Sequence, residues 1–488
     1  MRVAAAAAAI VAITAAVLWN PAPLGLASPS LPYIAQDEAV YSHAAMRMAD
    51  SGEWSTPRFL GRYFLYKPPL LYWLAGASAK LFGPQPWALR LPSILASSLV
   101  AAIVFAWARR LSGGSLWRGV AAWLLLFASP MFRDLGSRTM TDALLMLAIV
   151  ASAALPVEYL ALCVAAGILV KSIGGLIPIL IAGFAWVLLR ERPPLQRVIV
   201  GAALGVLVAA PWFVYQWETH RRWFEAEFIG VELLAYGTAA PPLGGPSPVL
   251  FYLTSLWAVA APLCAALLAA LPRLDRRSTL TAALLVMSAA VFGYQYRNAT
   301  HLLPLLPLLS LAGAAYTPKW ALALSAALAL WTHATPQPLA GESIFRAAER
   351  YAALTTTRDL IVVGIDDQFS SSTLPALRRR LRYAIQGAAR SEGQVTLDFV
   401  SLGIVVPAAA FPPDPARFAP KLREWGLNDN AALGTVISWD TPEDLAALIR
   451  ANPGRDFLLP AALLRSTPVT PPHRVEFTRD GPVLLLAQ

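Results

Sequence analysis

Residues 33–73 read YIAQDEAVYSHAAMRMADSGEWSTPRFLGRYFLYKPPLLYW, a polar, aromatic-rich stretch set between two long apolar segments. Gln36 to Ala49 alternates polar and apolar residues at helical spacing and ends at Asp50-Ser51-Gly52. That pattern predicts a short amphipathic helix lying on a membrane surface, with Asp37 and Tyr41 on one face. An acid pair such as Asp37-Glu38 just inside a helix start has an ordinary explanation, because carboxylates favour the positive end of the helix dipole by about 0.3–1 kcal/mol. Its company argues for more. Arg47, Arg58, Arg62 and Lys67 share the loop, on a side of the membrane where basic residues should be scarce.

The topology follows from the rest of the chain. Its 488 residues are 57% hydrophobic and only 14% charged, the composition of a polytopic membrane protein rather than a soluble domain. The net charge of +10 lies largely in short clusters between apolar runs, as in cytoplasmic loops, so it is no nucleic-acid signature. Cys163 and Cys264 sit inside apolar segments and support neither a disulfide framework nor a cysteine metal site. Residues 3–19 read as an uncleaved first span. Further spans are expected at roughly 89–108, 119–132, 142–155, 157–170, 174–190, 198–215, 248–271, 279–293, 301–316 and 320–335, about eleven in all. Arg109-Arg110 with Arg118, Arg190 with Arg192 and Arg197, Arg273 with Arg276-Arg277, and Lys319 then share the cytoplasmic side. The first loop (20–88), Arg133–Asp142, Gln216–Ser247 and the tail face outward.

The chain divides into a membrane domain, 1–335, and an extracytoplasmic α/β domain, 336–488. In the tail the apolar runs shorten to strand length at Leu360–Ile365, Thr435–Trp439 and Val475–Thr478, the last joined through Asp480-Gly481 to Val483–Leu486 as a hairpin. Ser371–Tyr383 and Thr441–Ala451 read as helices, the second opening on a capping box. Asp366-Asp367 follows a strand as loop residues often do.

The outward segments carry the chemistry. Arg133, Asp134, Arg138 and Asp142 cluster between two spans, Lys171 sits where two apolar runs meet, and Glu218, Arg221, Arg222, Glu225, Glu227 and Glu232 fill the next segment. Arg297 and His301 precede Leu302-Leu303-Pro304-Leu305-Leu306-Pro307. Taken singly, each basic residue reads as a snorkelling charge at a helix end. Together, charges of both signs at several span ends suggest a cavity holding a charged group. Lysine and arginine suit a phosphate, and carboxylates beside them suit a base for an acceptor hydroxyl, a cation or sugar hydroxyls. Group transfer from a lipid phosphate fits that set. No Gly-rich nucleotide loop occurs. The residues assign no cofactor, and the carboxylates leave a divalent cation open. The competing reading is a polyprenyl-lipid transporter or flippase without transferase activity, but no internal hydropathy repeat is evident.

Asp37-Glu38, Lys67-Pro68-Pro69-Leu70 with Tyr72-Trp73, Arg90-Leu91-Pro92-Ser93, Thr141-Asp142, Lys171 and Leu302–Pro307 occur in an order that resembles the GT-C membrane glycosyltransferases. Within them the lipid A aminoarabinose transferases and protein O-mannosyltransferases are most similar, over about residues 1–335. The resemblance implies an outward cavity in a multi-helix membrane domain of a bacterial inner membrane, with the site and tail periplasmic. It also implies a sugar donor on undecaprenyl phosphate and a lipid A, protein or glycan acceptor. Asp37 matches the family's first-loop catalytic acid, Lys67 its Lys-Pro-Pro lysine, Asp142 the acid of its second outward loop, and Glu232 the glutamate after its middle spans. The expected catalytic residues are Asp37 and Asp142. Glu38, Tyr41, Arg62, Lys67, Arg138, Lys171, Glu232, Arg297 and His301 are the expected substrate contacts, for inverting transfer. Tyr66 departs from the pattern, because an acid often precedes that Lys-Pro-Pro motif.

Overall fold

The computed structural model describes residues 2–21, 24, 34–59, 62–189, 192–235, 247–294 and 298–319, and in the C-terminal part 351, 360–364, 382–386, 389–391, 394–397, 404–407, 436–439, 442–460, 464–465, 473–477 and 482–487. The first part is helical: α1 (Arg2–Leu18), α2 (Ile34–Ser51), α3 (Leu70–Phe82), α4 (Pro86–Leu111), α5 (Leu116–Phe127), α6 (Pro130–Gly136), α7 (Thr141–Ala154), α8 (Leu160–Lys171), α9 (Ile177–Leu188), α10 (Leu195–Thr219) and α11 (Arg221–Phe224). A π-helix, Glu225–Ala235, and the helices Pro248–Ala270, Thr279–Phe292 and Leu306–Tyr316 complete it. Local signals punctuate these elements. Pro86 opens α4 and Arg109-Arg110 close it, matching the free N–H groups and the dipole at its two ends. Ser115, Ser247 and Ser278 accept N-terminal N–H groups of the helices that follow them.

Among the described residues, Pro86–Leu111, Val157–Leu188, Leu195–Thr219 and Ala299–Tyr316 are long and apolar enough to cross a membrane. Two bent pairs, Pro130–Gly136 with Thr141–Ala154 and Pro248–Ala258 with Ala260–Arg273, raise the count from 4 to 6, and shorter apolar helices accompany them. Each expected span before residue 317 coincides with helix; the one at 320–335 lies outside the described residues. Packing centres on α4, against which α1, α3, α5, α7 and Leu306–Tyr316 all lie. The outer face of α10 leaves Ile199, Leu204, Leu207, Val208 and Val214 exposed, a surface suited to lipid.

Val157–Leu188 is not one straight rod. A Cβ on Gly175 would sit 2.0 Å from the Ile168 nitrogen, so the turn Ser172–Leu176 between α8 and α9 closes back onto the end of α8 at a point that only glycine can occupy. The chain reverses at Lys171-Ser172, where Ser172 takes a positive φ of 42°. The reversal leaves Lys171 at the tip.

α2 corrects one expectation. It forms where the periodicity places it and stops at Gly52, whose φ of 73° ends the helix. However, residues 38–46 are buried without interruption, so the protein covers the polar face of the helix as well as its apolar one. The helix packs against α3 and the small hairpin β1 (Arg58–Phe59) and β2 (Arg62–Tyr63), and Glu38 finds its charge partners inside the protein.

Among the described residues of the C-terminal part, β3 (Leu360–Gly364), β4 (Arg382–Gln386), β5 (Ala389–Ser391), β6 (Gln394–Leu397), β7 (Ile404–Pro407), β8 (Val436–Trp439), β9 (Asp456–Pro460), β10 (His473–Phe477) and β11 (Pro482–Ala487) accompany the helix Pro442–Arg450. Six form a mixed sheet in the order β10-β11-β9-β3-β4-β8, and β5-β6-β7 form a separate meander. The expected hairpin pairs Phe477 with Val483. The helix expected at Ser371–Tyr383 is not found at its end, because Arg382 and Tyr383 lie in β4, which pairs in parallel with β3 and β8; sheet pairing overrides the local periodicity there. The rest of that stretch, Asp366-Asp367, Thr441 and Asp480-Gly481 lie outside the described residues.

Candidate active site

Glu38 organises the site from behind. It is fully buried; Arg90 donates to both of its oxygens at 2.6 and 3.0 Å, Arg138 donates at 3.0 Å and the Thr139 N–H at 3.3 Å. Burial alone would raise the Glu38 pKa, but Arg90 and Arg138 overcome it and hold the carboxyl below its usual range. Arg90 also donates to the Asn20 carbonyl at 3.0 Å, and Arg138 to Asp134 at 2.7 Å. One carboxylate thus joins α2, α4, the end of α1 and the 112° corner between α6 and α7. Glu38 and Arg138, expected as substrate contacts, are instead engaged with each other and with the scaffold.

Fixing Glu38 fixes the direction of Asp37, its neighbour on α2. Asp37 is only partly buried by its exposed surface, yet it is surrounded by protein, and burial raises its pKa to about 6 against the pull of Lys67 and Lys171, with Asp142 and Glu232 adding to the rise. On the same helix face Tyr41 is buried, its ring 6.0 Å from that of Tyr72. Burial, and then Asp37, push the Tyr41 phenol well above its usual range.

The charged ends of four other elements meet at this place. Asp142 opens α7 and accepts from Lys171, at the tip of α8, at 2.7 Å. Glu232, in the π-helix, accepts from Lys67 at 2.7 and 2.6 Å through its two oxygens, with Ser172 Oγ 3.4 Å away. His301 precedes the last described membrane helix and shares a 3.1 Å hydrogen bond between Nδ1 and Tyr252 Oη. Asp142, Lys171, Ser172, Glu232 and His301 form the polar end of a cavity of about 350 Å³ whose walls are Leu145, Ile177, Leu180, Met287, Val291 and other apolar side chains. Such a groove holds an apolar chain along its walls and an anion at its charged end.

Lys67 is aimed by a strap that the sequence reading did not find. Glu227, buried, accepts from the Leu65 N–H at 2.6 Å; Trp223 donates to the Tyr63 carbonyl at 2.9 Å, and Trp212 and Gln216 to the Ser55 carbonyl at 2.9 and 2.8 Å. These bonds tie residues 55–67 to α10 and the segment after it. The signal was present as an acid cluster, but nothing in its spacing singled out Glu227. Arg62 lies on β2 with its side chain outside the described part, and Arg297 lies outside the described residues. Tyr66 places its ring 4.3 Å from the Lys67 ammonium, a cation–π contact where an acid was expected. Among the described residues no three His, Cys, Asp or Glu side chains are grouped to hold a metal ion.

A family model described as dolichyl-phosphate-mannose-protein mannosyltransferase matches residues 66–215. The crystal structure of ArnT from Cupriavidus metallidurans bound to undecaprenyl phosphate superposes with a TM-score of 0.67 over 99% of this chain and 97% of that one, at 15% identity. The chain therefore has the fold of the GT-C membrane glycosyltransferases and is a polytopic membrane protein. Individual relatives match more narrowly. An undecaprenyl phosphate-alpha-4-amino-4-deoxy-L-arabinose arabinosyl transferase of Edwardsiella ictaluri is 32% identical over 133 residues, 27% of this chain and 21% of that protein. An uncharacterized protein of Aquifex aeolicus is 30% identical over 208 residues, 40% of this chain and 41% of its own. The chain thus spans well under half the length of these curated relatives.

Proposed function

We propose that the protein is an integral membrane glycosyltransferase that moves a sugar from a polyprenyl phosphate, undecaprenyl phosphate in a bacterium, to a cell-envelope acceptor at the periplasmic face of the inner membrane. The observation that carries this reading is the apolar cavity ending on Lys171, Asp142 and Glu232, with Lys67 and Asp37 beside them. The named relatives that use or bind undecaprenyl phosphate support the same donor class. Lipid A, a protein and a glycan are the acceptor classes this reading allows.

In this reaction the acceptor hydroxyl gives its proton to Asp37 and its oxygen bonds to the anomeric carbon. The bond from that carbon to the phosphate oxygen breaks, and the electron pair leaves on the polyprenyl phosphate, held by Lys67 and Lys171. The configuration inverts without a covalent sugar–enzyme intermediate. A pKa of about 6 leaves Asp37 mostly ionised at neutral pH and able to take the proton. Where the acceptor is already an anion, Asp37 orients it. Asp142 fixes Lys171, and His301 faces the same cavity as a sugar contact.

The topology proposed with it has about eleven spans, a membrane domain over 1–335 and a soluble domain over 336–488 outside the cytoplasm. Arg118, at the start of α5, donates to the carbonyls of Ala314, Ala315 and Thr317 at the end of the last described membrane helix. That contact favours a common, basic side for those ends, and the opposite side for Asp142, Lys171 and Glu232.

The test is mass spectrometry of the purified full chain with polyprenyl-phosphate sugars and candidate acceptors. Consumption by the wild type that disappears in Asp37→Asn and Lys67→Ala is the expected result. Normal turnover in either variant would sink the site assignment, and lipid binding without consumption would favour a carrier or flippase.

A further inference from the structure

The π-helix grips the Lys67 segment at two points. Glu227 accepts from the Leu65 N–H at 2.6 Å, and Glu232 holds the Lys67 ammonium through both oxygens at 2.7 and 2.6 Å. These acids are five residues apart. A helix bonded i→i+5 brings such residues to nearly one face, whereas an α-helix aligns residues three and four apart. The π form over Glu225–Ala235 is therefore what lets one element hold Leu65 and Lys67 together.

Glu232 also takes up the ammonium donors that an anionic ligand needs, since lysine has three N–H groups and two point at one carboxylate here. The next residue, Leu233, lines the apolar wall of the cavity. Headgroup contact and chain contact thus come from adjacent residues.

We propose that Glu232 is a displaceable stand-in for the lipid phosphate: donor binding exchanges its carboxylate on Lys67 for a phosphate oxygen, while Glu227 keeps Lys67 in place. The proposal rests on the lipid-phosphate reading above and makes both acids positioning residues. No bond to carbon or phosphorus changes in the exchange; one ion pair replaces another. With Glu232 released, its segment is free to return to ordinary α-helical bonding, which turns residue 232 away from the face that Glu227 occupies.

The experiment measures equilibrium binding of undecaprenyl phosphate, without a sugar, to the detergent-purified full chain. Glu232→Gln should bind about ten-fold tighter than wild type because the competing charge is gone, and Glu227→Met about ten-fold weaker because Lys67 loses its support. Glu227→Gln, which keeps an acceptor for Leu65, should restore binding. Equal or weaker binding by Glu232→Gln overturns the proposal, as does tighter binding by Glu227→Met, which would mark a general effect of removing negative charge. In the wild type, lipid binding should change amide hydrogen exchange over Glu225–Ala235, and unchanged exchange overturns the proposal even if a variant misfolds. A wild type that does not bind the lipid at all overturns the donor reading beneath it.

Discussion

Asp37 and Glu38 are chain neighbours with opposite surroundings: Glu38 is enclosed by two guanidinium groups, and Asp37 lies in the field of two lysines and two other carboxylates. Removing the Glu38 charge takes away the carboxylate that Arg90 and Arg138 share, leaving Arg138 its pair with Asp134, and breaking a buried ion pair costs about 3–5 kcal/mol. Glu38→Gln should therefore lower thermal stability in detergent markedly, as measured by a melting scan; a variant as stable as wild type would contradict the anchoring role. Asp37→Asn should act in the other direction. Its folded-state pKa of about 6 lies above the ordinary value of 3.8, so ionised Asp37 destabilises the fold, and stability is lost as pH rises from about 4 to 6 and then stays level. Above pH 6 the Asn variant should be more stable by on the order of 1–3 kcal/mol, converging with wild type near pH 4. Parallel stability curves for the two proteins would refute the raised pKa. The same ionisation gives the wild-type transfer rate an acid limb near pH 6, with activity falling below it; a rate flat from pH 5 to 7 would remove Asp37 as the base.

At the scale of elements, the site depends on how α8 turns into α9. The close approach of Gly175 to Gly167 lets the chain reverse within a few residues and delivers Lys171 to Asp142. An added methyl at Gly175 meets backbone atoms, which cannot move aside as a side chain can. Gly175→Ala should cost about 1–3 kcal/mol by overpacking and weaken transfer by displacing Lys171. Measuring melting temperature and turnover together checks this, because a loss of stability with full activity would mean that Lys171 tolerates the shift. The strap from α10 to residues 55–67 works in the same way for Lys67, through backbone carbonyls and one N–H whose partners are far away in sequence.

For the whole molecule, the charged ends of α2, α7, α8, the π-helix and the 299–305 turn converge at one end of the helix bundle, while Arg118 and the end of the last described membrane helix meet elsewhere. The proposed topology of about eleven spans would export the tail. A reporter enzyme fused after Gln488 should therefore be active only outside the cytoplasm, and a cytoplasmic signal would overturn the proposed orientation.

Much of this was written in local pattern. Apolar run length located the membrane helices, because crossing hydrocarbon demands a minimum of continuous apolar surface. Periodicity with Gly52 at the end located α2, and short apolar runs located β3, β8, β10 and β11. Asp37, Lys67, Asp142, Lys171, Glu232 and His301 stood out as charges or ring nitrogens where a membrane chain should have few. Which of those charges border the cavity and which are tied into the scaffold was decided only by tertiary structure. Glu38 and Arg138 look like site residues in the sequence and are bound to each other and Arg90, since pairing is a matter of contacts between residues 52 and 100 positions apart. Glu227 looks like one acid among several and supports the Lys67 segment by holding the Leu65 N–H, 162 positions away. Local sequence sets which segments become helices and which charges they carry, whereas the packing of those helices decides which charges cancel and which remain available for chemistry.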